Sequence, residues 1–336
     1  MACALIVALG ACSDRRGVDS SWQAYQAELS ELAEIHPQPV HPSPMPIMPR
    51  SGDMRIEIDR LSIGLLDSLR LERCRLGQIV AQRNSALGQA QSASALLRYE
   101  LDSLQAIEEC LQSDDITESR IIAMLEDALE QKRETLPLYI DQVLTRSEAF
   151  RTSMRAANRP HGITGDASVE DTLAALNYMA QTFNAALAGA FSQIDLAPYN
   201  SHTQTLSRSN FLPRHWRSMQ HNAAWLNVVN PLLAQVADHI DCGPESAAEL
   251  GERVSALEQE HYAAKIEPLL MRWNRYHAEL TPALQQLMGM SVQGEWRAYI
   301  DELIGDGSHA DQVSEMTATH AALWQQILEQ CQLPPN

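Results

Sequence analysis

The sequence predicts an all-α fold, a multi-helix bundle of antiparallel helices with no significant sheet, and three observations carry that expectation. Apolar residues recur at spacings of three, four and seven along most of the chain, the signature of helices with one buried stripe. Polar capping residues stand where those stripes begin. No stretch combines sustained period-two alternation with β-branched enrichment, so strands are not expected. Eight to ten helices joined through short loops follow from that pattern.

The elements can be taken in order from Met54. Ile58, Leu61, Leu65, Leu69, Leu76 and Val80 share one helical face, and Gly88 supplies a C-terminal stop. A second helix spans Ser92 to Gln112. The stretch "DDITES" opens a third, with Asp115 as N-cap and Glu118 three residues on. Pro137 begins or kinks a fourth. A break follows in "NRPHGITGD", and residues 157–167 offer a sub-division of the helical domain. Ser168 with Asp171 caps the next helix, which runs to about Ile194. The segment "APYNSHTQTLSRSNFLP" reads as a longer loop. Helical pattern resumes at Arg214, with a kink at Pro231, and again from Glu245 to Met288, interrupted near Pro268 and Thr281-Pro282. The final helix starts at Ser308, has Asp311 at the capping-box position, and ends near Gln330.

The chain opens with "MACALIVALGAC", an apolar run about as long as a signal-peptide core and too short to span a bilayer. Leu9, Gly10, Ala11 and Cys12 resemble the lipobox of bacterial lipoproteins. That resemblance implies a signal peptide over residues 1–11, acylation of Cys12, and Ser13 in a position that favours the outer membrane. No Lys or Arg precedes the run, a departure from the usual basic leader. Residues 12–53 then read as anchor, polar tether "SDRRGVDS", short amphipathic helix and proline-rich connector. Six prolines between Pro37 and Pro49 favour an extended, semi-rigid path. His36 and His41 lie in that connector as solvated side chains. Residues 54–332 form the helical domain.

Charge and composition exclude some functions. The formal net charge of −18, with only Lys132 and Lys265 among the 25 basic residues as lysines, argues against nucleic acid as a partner. The expected partners are a membrane, reached through the lipid, and another envelope protein. No cofactor is expected.

Behind the anchor, Cys74, Cys110, Cys242 and Cys331 form an even set, which in an exported protein reads as disulfides first. Cys74 and Cys110 lie within about one helical turn of level across an antiparallel hairpin. Cys242 and Cys331, both at element ends, form the remaining pair. Buried free thiols are the alternative.

Motifs for catalysis are few. The sequence contains no G-x-S-x-G, S-x-x-K, H-E-x-x-H or G-x-x-x-x-G-K. Glu258 and His261 make half of a di-metal motif and read as a surface pair. Asp306, His309 and Asp311 read as a turn and helix cap. His239, Asp241 and Cys242 offer zinc-ligand chemistry, but a disulfide accounts for Cys242. Two clusters carry the Trp, Tyr and Arg character of binding hot spots. Arg83, Asn84, Arg98, Tyr99 and Glu100 surround one helix–helix turn. Arg214, His215, Trp216, Arg217, His221 and Trp225 occupy one segment. Helix anchoring is the alternative role for both, and no catalytic residue is assigned.

The stretches "ERCRLGQIVAQRNSALG", "LLRYEL", "KRETLPLYI", "SEAFR" and "HWRSMQHNAAWLN" resemble a proteobacterial family known as domain of unknown function number three thousand and eighty. Some of its members are labelled lipoproteins. The resemblance covers most of the chain after the connector and implies no activity. The reading is therefore a lipid-anchored periplasmic helical protein, a non-catalytic binding or structural module of the cell envelope. A small-molecule or lipid carrier would instead show an apolar interhelical cavity. An envelope enzyme would show a buried carboxylate against His215 or His221.

Overall fold

Helix α1 (Gly10–Leu32) includes the segment expected to be a polar tether. Val18, Trp22, Tyr25 and Leu29, at helical spacings of four, three and four, are buried in the main core. Burial of such side chains is worth roughly 2 kcal/mol each. The helix is therefore part of the body, and the segment expected to be a tether lies within it.

The computed structural model describes residues 10–59, 71, 74–84, 92–114, 116–164, 168–242 and 247–334. Among them there is no β-strand, and the fold is all-α. Residues 55–59 have no regular secondary structure, so the helix expected from Ile58 does not begin there; Leu61, Leu65, Leu69 and Gly88 lie outside the described residues. Helix α2 (Arg75–Asn84) carries Leu76 and Val80. It packs beside α3 (Ala93–Gln112), whose N-cap Ser92 accepts from the Ala95 amide.

Helix α4 (Ser119–Arg146) is capped at Glu118, three residues later than expected, and Asp115 lies outside the described residues. Pro137 sits inside α4 without breaking it, so the expected third and fourth helices are one. Ser147 then caps α5 (Glu148–Met154). Helix α6 (Val169–Leu187) follows the Gly/Pro break, and Ser168 is its N-cap residue without a side-chain cap bond.

The expected long loop contains α7 (Tyr199–Arg208). Only Tyr199 and Leu206 of this polar helix are buried, too little to leave a readable stripe. Tertiary contacts hold it: Ser153 donates to the Leu206 carbonyl at 2.9 Å, and Thr172 meets Ser209 at 2.9 Å. Helix α8 (Phe211–His239) is the central helix and contains Pro231 unbroken.

Helix α9 (Ala247–Leu257) runs into a π-helical stretch (Glu258–Ile266) and then α10 (Glu267–Gly289). Pro268 lacks an N–H for the usual i−4 carbonyl and its ring crowds that carbonyl. The chain widens into the π turn just before it, so the interruption is a bulge and not a break. Pro282 leaves α10 continuous. Helices α11 (Gly294–Ile304) and α12 (His309–Gln330) complete the chain, with Ser308 accepting from the Asp311 amide as the sequence suggests. Helix α12 packs along α8.

A second, smaller core of Leu71, Leu76, Val80, Ile107, Ile121 and Leu125 lies between α2, α3 and α4. The Cys74–Cys110 disulfide joins its helices, with Cα atoms 5.8 Å apart. Cys242–Cys331 ties the end of α8 to the end of α12, with Cα atoms 5.0 Å apart. Both pairs are those expected.

The proline-rich connector is not a free spacer. Val40, Met45 and Met48 pack against the main core. Its carbonyls accept from Gln26 (to Gln38, 2.7 Å), Gln220 (to Ser43), Arg151 (to Pro49, 2.7 Å) and Arg146 (to Ser51, 3.1 Å). Gln142 and Gln293 both donate to the Met54 carbonyl, at 2.8 and 3.0 Å. Prolines deprive this segment of internal donors, so bundle side chains supply them.

Asp141 fastens that arrangement. Its wholly buried carboxylate accepts from Ser291 Oγ at 2.6 Å, the Val292 amide at 3.0 Å and Gln293 Nε2 at 2.5 Å. Replacing Asp141 with Ala would strand those donors in the core. Urea unfolding of Asp141→Ala should show a loss of about 3 kcal/mol; an unchanged midpoint would contradict the clamp.

Candidate functional site

The most connected polar cluster lies where α1, α8 and α12 meet. Trp324 Nε1 donates to Tyr25 Oη at 2.7 Å, and Tyr25 Oη stands 2.6 Å from His320 Nε2. His320 Nδ1 stands 2.6 Å from Asn230 Oδ1, and Asn230 Nδ2 donates to the Met316 carbonyl at 2.9 Å. An indole N–H can only donate, so the Tyr25 proton points to His320 Nε2. The imidazole proton is then on Nδ1 and faces the Asn230 oxygen. Every bond runs the same way, and the one from Tyr25 to His320 Nε2 requires a neutral imidazole.

Burial enforces that state. Tyr25 and His320 are wholly buried. Desolvation depresses His320 to a pKa of about 3, and burial pushes the Tyr25 hydroxyl well above its ordinary value. Tyr262, from the π turn, stacks on Trp324 with ring centres 6.0 Å apart and lies 4.9 Å from the His320 ring. Glu258, one turn earlier, is buried here too, which corrects the expectation of a surface Glu258–His261 pair. The wider π turn carries both Glu258 and Tyr262 into the core. His261 Nδ1 is buried and has no hydrogen-bond partner among the described residues.

The expected binding segment on α8 divides between core and surface. Trp216 and Trp225 are buried. Trp216 Nε1 donates to the Ser153 carbonyl at 2.9 Å, and Trp225 stacks on Trp22 with ring centres 5.7 Å apart. His221 Nε2 lies 2.8 Å from Asp19 Oδ1 and 3.3 Å from the Trp225 indole nitrogen. One nitrogen cannot both donate and accept, and the shorter Asp19 contact takes the proton. These groups anchor α1 to α8.

Arg217 donates to the Ala157 carbonyl at 2.6 Å, while Arg214 is exposed. His215 is wholly buried; its Nε2 is 3.4 Å from His277 Nδ1, and its Nδ1 has no hydrogen-bond partner among the described residues. Burial lowers His215 well below its usual range and His277 to about 4. His215 thus meets another imidazole and no carboxylate. The carboxylate beside His221 has a side chain about one-third exposed. Neither is a buried carboxylate–imidazole pair.

The turn cluster is an interhelical lattice. Lys132 Nζ on α4 lies 2.5 Å from Glu100 Oε2 on α3, and both side chains are nearly buried. Arg83 and Lys132 approach the Tyr99 ring at 5.6 and 5.2 Å. Arg98 pairs with Asp102 at 3.6 Å. The side chain of Asn84 lies outside the described residues.

Asp311 accepts from the Gly307 amide at 2.7 Å, and His309 Nε2 lies 2.9 Å from Ser43 Oγ of the connector. His239 Nδ1 turns back to the Gln235 carbonyl at 2.9 Å. A cleft of about 690 Å³ is lined by Arg55, Glu57, Asp59, Tyr139, Arg146 and Glu148, among others. Ile56, Ile58, Ala93 and Leu96 share that lining with charges of both signs, so the cleft is mixed in character. Among the described residues no helix is long and apolar enough to cross a membrane.

A family model described as "Protein of unknown function (DUF3080)" matches residues 22–335. No curated protein and no solved structure matches the chain.

The Tyr25–His320–Asn230 chain has a pH signature. His320 titrates near 6.5 when unfolded and near 3 when folded, so between those values only the unfolded state binds the proton. Stability is full above pH 6.5 and falls as pH drops toward 3. In urea unfolding at pH 7, 6, 5 and 4, His320→Gln should shallow that fall by up to about 1.4 kcal/mol per pH unit. Parallel curves for the two proteins would contradict the neutral, one-directional arrangement.

Proposed function

The chain belongs to the family described as protein of unknown function (DUF3080), and on that premise we propose that it is a lipid-anchored module of the bacterial envelope. It sits on the periplasmic side, held by acyl chains on Cys12, and serves as a non-catalytic binding or structural body. Ser13 directs it to the outer membrane. The observation that carries the reading is the cysteine set. Cys12 closes a lipobox-like run, and the four cysteines behind residue 12 are all paired as disulfides. Such pairing belongs to an oxidising compartment.

Two further observations support it. The histidines in the most catalysis-like segment, His215 and His221, pair with another imidazole and with a partly exposed carboxylate. The aromatic groups expected to bind a partner are used inside the body, so a partner would meet charged and polar surface. Two acyl chains or more hold a protein on a bilayer effectively for its lifetime.

The test is metabolic labelling with palmitate in a Gram-negative host. Label should enter the wild-type protein and not Cys12→Ser, and the N-terminal peptide should begin at an acylated Cys12. Recovery of Met1 still joined to an unmodified Cys12, with the protein in the cytosol, would overturn the proposal.

A further inference from the structure

Helix α1 runs antiparallel to the α9–π–α10 rod. Glu31 pairs with Arg253 at 3.2 Å, and the Tyr25 and Tyr262 rings are 6.2 Å apart. Gly17 meets Ile163, whose carbonyl accepts from Arg272 of α10. A Cβ at residue 17 would meet the Ile163 Cδ1, so glycine admits that approach without moving the Ile163 side chain. From Gly17 to Cys12 the helix advances about 7.5 Å at 1.5 Å per residue. Cys12 is thereby abreast of the α10 residues just past Arg272, with no flexible segment between it and the core.

Helix α10 continues to Gly289, well beyond the level of Cys12. Acyl chains leaving Cys12 at that level favour a bilayer lying along α10 over one lying across its end. The outward face of α10 suits that placement. Pro268, Met271, Arg275, Ala278, Pro282 and Gln285 follow one another at spacings of three and four, and all are exposed. Met271 is 62% exposed, and neighbouring Ile163 is 41% exposed. The one charge on this line, Arg275, pairs with Glu279 at 3.7 Å. Apart from Arg275, no residue on this line is charged.

We propose that the body rests directly on the bilayer along this face of α10, with Met271 and Ala278 at the lipid interface. The inference rests on the lipid-anchor reading, because position abreast of Cys12 selects lipid as the occupant. Interfacial helices bury apolar side chains a few ångströms into the headgroup boundary.

The test uses the acylated mature protein reconstituted in phosphatidylethanolamine–phosphatidylglycerol vesicles containing brominated lipid, which quenches nearby tryptophan. The native tryptophans are buried, so an added one reports on its own position. Met271→Trp and, separately, Ala278→Trp should be quenched well beyond wild type. Asp127→Trp, on exposed α4 beside the smaller core, should match wild type. Quenching absent at both 271 and 278, or equal at all three positions, would overturn the seat while leaving the anchor intact. Failure of acylated wild type to pellet with vesicles would overturn the anchor and the seat together.

Discussion

The docking of α1 on the core centres on one file of hydrogen bonds. Trp324 donates to Tyr25, Tyr25 to His320, His320 to Asn230, and Asn230 to the Met316 carbonyl. The file works in one direction because its first member has no acceptor and its last is a carbonyl. It joins the N-terminal helix to the two longest-packed helices of the core. Each buried polar atom along it has a partner, so the network stabilises one arrangement instead of tolerating several. Around it, Trp22 on Trp225 and Tyr262 on Trp324 close the site to water.

The connector extends the same logic. A proline-rich segment cannot bond to itself, and in solution it would be a spacer. Here glutamine and arginine side chains from α1, α4, α5, α8 and the loop before α11 donate to its carbonyls, and Asp141 holds the loop that supplies Gln293. The result is a body in which α1 and the connector are both held against the bundle. A lipid on Cys12 would then act on the whole body at once, not through a leash.

How much of this was legible in the sequence follows from the range of the interactions. Ser308 caps its helix through a bond three residues long, a span short enough to be read from the sequence. The disulfide partners were readable because helix length and turn position set their level. The α1 tether, α7 and the docked connector were not, since local composition is polar or proline-rich and only distant partners order them. The central file was invisible for the same reason: Tyr25 and His320 are 295 residues apart, and His320 and Asn230 are 90 apart. A tyrosine and tryptophan on the apolar stripe of α1 were its one local sign. The tryptophans of "HWRSMQHNAAWLN" looked like a binding surface and are core anchors, because aromatic residues serve both ends equally well.

This architecture requires α1 to be an integral helix of the core. Hydrogen exchange of the mature protein, followed by mass spectrometry of peptides spanning Val18 to Leu29, measures this directly. Protection persisting for hours, comparable with that of α8, is the predicted result. Exchange complete within seconds across Trp22 to Leu29, while α8 stays protected, would contradict it.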